Sequence, residues 1–250
     1  MSADLNGHKV LVTGGASGIG AACAAAFAAA GAAVTVADLD EQGARRVADP
    51  LGGNAVGVDL ADPAFDAAAL AAGMDVIVNN AGIQHVSPLE EFPEEKFRQI
   101  LALMLEAPFR LVRVALPHMY AAGWGRIVNI SSIHGLRASA FKSAYVAAKH
   151  GLEGLSKTIA IEGGPRGVTS NTICPAYVRT PLVERQIADQ ARVHGIPESE
   201  VVEKIMLAES AVKRLVEPAE VAELAVFLCT PSMSFANGSS FSLDGGWSAR

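Results

Sequence analysis

The stretch "KVLVTGGASGIGAACAAAFAAAGAAVTVAD", residues 9–38, decides the fold. It opens with an apolar run, "KVLVT" (9–13), passes through a glycine-rich turn, and continues as an alanine-rich helical segment over about 18–30. Gly31 sits where that helix ends, and a second apolar run, "AAVTVA" (32–37), follows. Runs apolar throughout are what a parallel strand buried on both faces requires, and strand–helix–strand implies a right-handed crossover. Val10 to Ala37 carries no charge, so length alone would admit a membrane span. Gly14, Gly15, Gly18, Gly20 and Gly31 break it up and most of the rest is alanine, so no span is expected.

The same alternation runs along the chain. Further strand-like runs are "AVGV" (55–58), "DVIVNN" (75–80), "GRIVNIS" (125–131), "VTSNTIC" (168–174) and "SSFSL" (239–243). Helical stretches fall at about 40–48, 63–72, 93–121, 143–162 and 218–229. The expectation is an α/β chain: one Rossmann-type domain over residues 1–250, a doubly wound parallel sheet of about seven strands. Pro63, Pro93 and Pro218 fall near the first turns of helices, where proline is tolerated. Pro108 and Pro117 fall inside the fourth helix, where each removes a backbone bond and bends it. The alternation breaks once, from Thr180 to about Glu217, where short amphipathic helices replace a strand. An insertion between strands six and seven lies beyond the strands' carboxyl ends, so residues 181–217 are expected to form a helical lid.

Composition narrows the function classes. Of 250 residues half are apolar and 18% are charged, which suits a buried core, and the net charge of −6 has no long run of either sign. With no basic stripe and no zinc-finger spacing, no nucleic-acid partner is expected. Cys23, Cys174 and Cys229 lie far apart with no CxxC spacing and read as core residues in a reducing compartment. The start "MSADLNGHKV" lacks an apolar h-region, so the expectation is a cytoplasmic protein with no membrane partner. His8, His85, His118, His134, His150 and His194 make no paired-ligand spacing, so no metal is expected.

The turn "TGGASGIG" (Thr13–Gly20) joins a strand to a helix. Glycines there allow positive φ and close approach to a ligand, and the helix start offers N–H groups and a positive dipole end to a pyrophosphate. Placed this way the turn reads as a dinucleotide site. Asp38 ends the second strand, where a carboxylate accepts bonds from the ribose hydroxyls and repels a 2′-phosphate, so NAD is expected over NADP. Asp59, ending strand three, is a weaker candidate for the adenine ring. In "SIHGLRASAFKSAYVAAKHG" (132–151), Tyr145 and Lys149 are one helical turn apart and share a face. An ammonium there is expected to lower the phenol from its usual value of about 10, so that Tyr145 can take a proton from an alcohol.

The combination of TGxxxGIG (Thr13–Gly20), "NNAG" (Asn79–Gly82), Ser132 and Tyr145-x3-Lys149, in that order, resembles the short-chain dehydrogenase/reductases over essentially the whole chain. Tyr-x3-Lys alone would carry no weight. The resemblance implies catalysis by Ser132, Tyr145 and Lys149, the serine bonding the reacting oxygen and the lysine also holding the nicotinamide ribose. For the cofactor, NAD, it implies Thr13, Gly14, Ser17, Gly18, Ile19 and Gly20 in the loop, with Asp38, Asp59 and Leu60 toward the adenosine. Asn80, Ala81 and Gly82 line the same side, and Pro175, Val178 and Thr180 of "PAYVRT" (175–180) hold the carboxamide. Ala176 stands where the pattern has glycine. Met104, in "LALMLEAPF" (101–109), stands where the family has an asparagine that relays protons through water, and a thioether cannot do this.

"GIQHVSPLEEFP" (82–93), "SIHG", "KSAYVAAKHG", "TPLVERQI" and "DGGW" are similar to the D-3-hydroxybutyrate dehydrogenase branch of that family. The likeness implies a small 3-hydroxy carboxylic acid as substrate, clamped by Gln84, His134, Lys142 and Gln186. Tyr177 and Trp247 would wall the methyl end, the first usually a tryptophan in that branch. A homotetramer built through the long helices and the last strand is also implied. Two alternatives stay open: another 3-oxo reductase, acting on acyl thioesters, and a nucleotide-binding homologue without turnover.

Overall fold

The computed structural model describes residues 4–249, built on a seven-stranded parallel sheet in the order β3-β2-β1-β4-β5-β6-β7. The strands are β1 (Lys9–Thr13), β2 (Ala33–Asp38), β3 (Asn54–Gly57), β4 (Val76–Asn79), β5 (Gly125–Ile130), β6 (Val168–Pro175) and β7 (Ser240–Leu243). Every residue of β4, β5 and β6 is buried, and the edge strands β3 and β7 are more open. Chain direction across the sheet reverses between β1 and β4, which opens a crevice at their carboxyl ends.

Among the described residues ten α-helices follow the strands: α1 (Gly18–Ala29), α2 (Glu41–Ala48), α3 (Ala67–Ala71), α4 (Glu94–Leu101), α5 (Ala107–Ala122), α6 (Ser143–Gly163), α7 (Pro181–Glu184), α8 (Gln186–His194), α9 (Glu198–Val201) and α10 (Pro218–Phe227). Side chains alternate across each strand, so the sheet carries two cores. Val10, Val12, Val36 and Val78 meet Cys23 and Phe27 of α1 and Val221 of α10 on one face. Leu11, Ile77 and Ile127 meet Leu111 of α5 and Ile159 of α6 on the other. The three cysteines are buried and free. Among the described residues no helix is long and apolar enough to cross a membrane.

Three local departures have physical causes. Helix α3 starts at Ala67 rather than near Pro63, because the Asp66 carboxylate caps the N–H groups of Ala68 and Ala69. The long fourth helix is α4 and α5 joined by a π-helical turn, Ala102–Glu106. Pro108 has no N–H to give the carbonyl of Met104, and the wider turn absorbs the missing bond. Pro117 lies within α5, which runs on past it to Ala122.

Between β6 and β7 the chain makes a helical excursion, α7 to α9, that leaves and returns at one place. Val178 and Val216 form a parallel bridge, with Arg179 N–H on Val216 O at 2.9 Å and Val216 N–H on Tyr177 O at 3.0 Å. The excursion has its own small core of Val183, Ala191, Val201 and Met206.

Gly14 needs its lack of a side chain twice. Its φ is +64°, and a Cβ would sit 2.7 Å from Ala81 Cα. Gly52 has a similar φ of +66° with nothing within 4 Å of a Cβ. The Gly52→Ala change should cost about 1 kcal/mol, and Gly14→Ala at least about 2 kcal/mol more. Urea unfolding of the two variants measures the difference, and equal losses would mean that the loop does not press on Ala81.

Candidate active site

The crevice at the carboxyl ends of the strands is a cleft of about 380 Å³. Its floor is the loop from Thr13 to Gly20, held from both neighbours. Gly14 N–H bonds Ala37 O at 2.8 Å, and the Asn80 amide nitrogen bonds Thr13 O and Gly14 O, both at 2.9 Å. The Thr13 hydroxyl accepts from Asn80 N at 3.0 Å and Ala81 N at 3.1 Å. A Cβ on Gly20 would land on the Gly14 carbonyl. Gly14, Ser17, Gly18 and Ile19 line the cleft, while Thr13 and Gly20 shape the loop from behind. The Ser17 side chain makes no capping bond, which leaves the first-turn N–H groups of α1 without a side-chain partner.

Two carboxylates stand at one end. Asp38 accepts from Ala16 N at 2.9 Å and Asp40 N at 3.0 Å, and Asp59 accepts from Ala61 N at 2.9 Å. Leu60, Asn80, Ala81 and Gly82 continue the wall, and Pro175, Val178 and Thr180 close the opposite side. The cleft thus brings together the loop, both aspartates and the strand-end residues that the sequence pattern singled out. Such a cradle fits an extended phosphate-bearing ligand with hydroxyls at its acidic end.

The other end holds the polar groups of α6 and the turn before it. Ser132 caps the short turn Ile133–Gly135, its Oγ accepting from His134 N at 3.1 Å. The same hydroxyl bonds the phenol of Tyr145. Lys149 lies one turn along α6, its Nζ 5.6 Å from the Tyr145 ring centre and donating to Ile130 O at 2.6 Å. Contrary to the sequence expectation, the Tyr145 phenol is pushed up rather than down: burial outweighs the pull of the Ser132 hydrogen bond. The ammonium spends its short bond on a carbonyl, which leaves it little to offer a phenolate on a half-buried ring. Burial also lowers Lys149 itself, to about 8.

Lys142 is only 1% exposed. Its Nζ donates to Tyr177 Oη at 2.7 Å and lies 3.5 Å from His134 Nε2. Burial lowers it to about 8, and no carboxylate among the described residues offsets that. His134 is lowered to about 3 by burial and by Lys142, so it stays neutral. Gln84 and Gln186 also line the cleft, and the Gln186 Oε1 is buried with no partner. Trp247 is set behind this wall, stacked on Tyr177 at 6.3 Å and edge-on to His134 at 5.5 Å. Among the described residues no group of His, Cys, Asp and Glu could hold a metal ion.

Some site residues left no trace in the sequence pattern. Leu39, Gln99, Leu103, Leu182 and Arg185 line the cleft without any motif. Phe141 has φ +66°, rare for a bulky residue. Its carbonyl accepts from Ser87 N at 3.0 Å and its ring meets His194 of α8 edge-on at 5.4 Å. Those contacts hold the turn that sends Lys142 inward, and no local propensity signals them.

Known proteins agree with this architecture. A family model described as enoyl-(acyl carrier protein) reductase matches residues 14–248. The D-beta-hydroxybutyrate dehydrogenase of Rhizobium meliloti is 45% identical, over 96% of this chain and 98% of that one. The protein of the same description from Cupriavidus necator is 41% identical over 98% and 100%. The solved structure of a putative NAD(P)-dependent gluconate 5-dehydrogenase from Beutenbergia cavernae, with bound NADP, superposes at a TM-score of 0.87. It is 36% identical and covers 99% of each chain. The chain therefore belongs to the short-chain dehydrogenase/reductase family of oxidoreductases.

Proposed function

We propose that the protein is an NAD-dependent dehydrogenase that oxidises (R)-3-hydroxybutyrate to acetoacetate, and runs the reverse reaction with NADH. The observation that carries the substrate is Lys142: a buried ammonium without a carboxylate, on the wall that also holds Ser132 and Tyr145. A charge so placed is costly until an anion meets it. A 3-hydroxy acid has its carboxylate and its hydroxyl two carbons apart, so one cation and one proton acceptor serve both. The two relatives described as D-beta-hydroxybutyrate dehydrogenases support this choice.

The cofactor is supported by the glycine loop, whose path a Cβ at Gly14 or Gly20 would block, and by the first-turn N–H groups of α1, which no side chain caps. Bound there, a nicotinamide dinucleotide supplies the acceptor for hydride. The Thr13–Gly20 loop would hold its pyrophosphate, Asp38 its adenosine ribose, and Asp59, Leu60, Asn80, Ala81 and Gly82 the adenosine side. Pro175, Val178 and Thr180 would hold the carboxamide end, and Lys149 the second ribose. Asp38 repels a 2′-phosphate and so favours NAD.

On the substrate side, Lys142 makes a charge-assisted bond to the carboxylate. Gln84, neutral His134 and Gln186 add polar contacts, while Tyr177, backed by Trp247, walls the methyl end. Ser132 holds the reacting hydroxyl and Tyr145 takes its proton. The phenol must come down for that to happen at neutral pH, and the groups on hand are Lys149 and Ser132. The α7–α9 excursion acts as the lid over residues 181–217 and excludes water. Phe109 on α5 and Ile161 on α6 are exposed apolar residues that support a homotetramer built through those helices, and light scattering at one chain mass would remove that part of the reading.

One observation favours a second reading. The Met104 thioether, not an amide, faces Gly82 at the cleft, which supports a nucleotide-binding homologue without turnover. NADH absorbance separates the readings when each enantiomer of 3-hydroxybutyrate, NADP and an acetoacetyl thioester are compared. The R enantiomer with NAD should be fastest. Preference for the S form or the thioester overturns the proposal, and tight NADH binding without turnover selects the second reading. Lys142→Ala should raise KM about 10- to 100-fold with kcat largely kept. Tyr145→Phe should lower kcat by roughly a hundredfold or more with KM little changed.

The buried lysines also leave a mark on stability. Lys142 and Lys149 are both lowered from 10.5 to about 8, so the unfolded chain binds more protons between those values. The ligand-free protein should therefore gain stability as pH rises from about 8 to about 10.5, by roughly 3 kcal/mol for each lysine. Lys142→Met should show about half of the wild-type rise in urea unfolding at a series of pH values. An unchanged rise would mean that the Lys142 ammonium is not held at a cost.

A further inference from the structure

Helix α6 carries a third polar side chain on the face that holds Tyr145 and Lys149. Glu153 lies one turn beyond Lys149 and is 4% exposed, yet the chemistry above does not use it. A carboxylate is buried only at a high cost unless donors meet it. Here three do: Thr172 Oγ1 at 2.9 Å and Ser240 Oγ at 2.6 Å donate to Oε2, and the Cys174 thiol to Oε1 at 3.2 Å. Two strands, β6 and β7, thus supply the socket, and each of its members serves the acid. An acid needed only to fill space would not require a hydroxyl or thiol on every side.

We infer that Glu153 is a positioning residue that supplies the counter-charge for Lys149 and so sets the pH range over which that lysine stays an ammonium. This rests on the reading of Lys149 as the cation beside the reacting phenol. Lys149 has no carboxylate in direct contact, and its short bond goes to the Ile130 carbonyl. Of the groups facing it, Tyr145 and Glu153 come from α6 and Cys174 from β6. The Cys174 thiol is pushed up to about 12, largely by burial, and stays neutral. Among the described residues Glu153 is then the one carboxylate that acts on Lys149. The other charged groups of the elements packed on α6 point elsewhere. Glu94, Glu95, Lys96 and Arg98 of α4, Glu106, and Arg113 of α5 are exposed, and so are Arg166 and, on α6 itself, His150, Lys157 and Glu162. Arg110 of α5 turns to the carbonyls of Asp62 and Phe65. Arg126 sits at the start of β5 and bonds the Gly125 and Gly167 carbonyls.

The test reads Lys149 directly. The ¹³Cε resonance of Lys149, assigned by its loss in Lys149→Arg, is titrated in the protein without cofactor or substrate. Glu153→Gln should lower its midpoint by about one pH unit or more, because a nearby negative charge in a poorly screened interior is gone. Glu153→Asp keeps the charge and should stay close to wild type, even where both variants lose stability. A midpoint that Glu153→Gln leaves in place overturns the inference and assigns the residue a structural role. If that variant does not fold, Glu153→Met, which removes the charge and keeps the bulk, is read in the same way, and an unchanged Lys149 midpoint overturns the inference. In turnover assays with any accepted alcohol, the pH above which kcat/KM declines should fall likewise in Glu153→Gln. No nucleotide or hydroxy acid enters the titration, so failure to oxidise 3-hydroxybutyrate would remove the proposed substrate and leave this result standing.

Discussion

The Asn80 amide holds the site together. It reaches across the point where the sheet order reverses and donates to two successive carbonyls of the first loop, Thr13 and Gly14, while the Thr13 hydroxyl accepts two backbone N–H groups in return. These four bonds tie the ends of β1 and β4, strands that 62 intervening residues separate in sequence between Thr13 and Val76. Half-buried polar groups of this kind stabilise most when all partners are present, so the network favours one arrangement of the loop. The cradle's floor follows from that arrangement, because Gly14 is pressed against Ala81 and Gly20 against Gly14.

At the other end of the cleft the controlling quantity is desolvation. Two ammonium groups, Lys142 and Lys149, are almost wholly buried, and each is lowered to about 8. Lys142 keeps its charge beside a phenol and a neutral imidazole, neither of which balances it. Lys149 differs, because a carboxylate lies one turn away in a socket of hydroxyls and a thiol. The same helix therefore carries a charge that is balanced from within, and the loop before it one that is left for a ligand. On the function proposed above this asymmetry has a use: a cation that binds a small anion is best left unsatisfied, whereas one beside the phenol gains from a partner that stays when the anion leaves.

Much of this was legible in the sequence for a simple reason. A doubly wound sheet repeats one local pattern, apolar strand then amphipathic helix, and the residues at each strand end are the ones the crevice gathers. Thr13–Gly20, Asp38, Asn80 and Tyr145-x3-Lys149 could be read because strand ends and helical spacing are local. What could not be read depends on the surroundings of a side chain. The direction of the Tyr145 shift turned on what packs around the ring and where the Lys149 ammonium points, which no spacing reveals. Phe141 occupies a backbone region that its residue type disfavours, held there by Ser87 and His194 from distant segments. Trp247 sits behind Tyr177 because the last turn folds back against the wall, a matter of packing. Helix α3 began late because one aspartate outcompeted a proline as the start signal.

The turn at Met104 joins these two kinds of information. The sequence places Pro108 inside a helical stretch, and a proline there withholds its donor from the carbonyl four residues back, which is Met104's own. The chain absorbs this by widening to a π turn rather than by ending the helix. The widened turn sets the Met104 side chain against Gly82, Ile100, Ala144 and Ala148, an apolar contact that a thioether fills well and an amide would not. The backbone carbonyl is indifferent to that substitution. Where the family's pattern has a side-chain amide, this chain keeps a carbonyl deprived of its α-helical donor by the neighbouring proline.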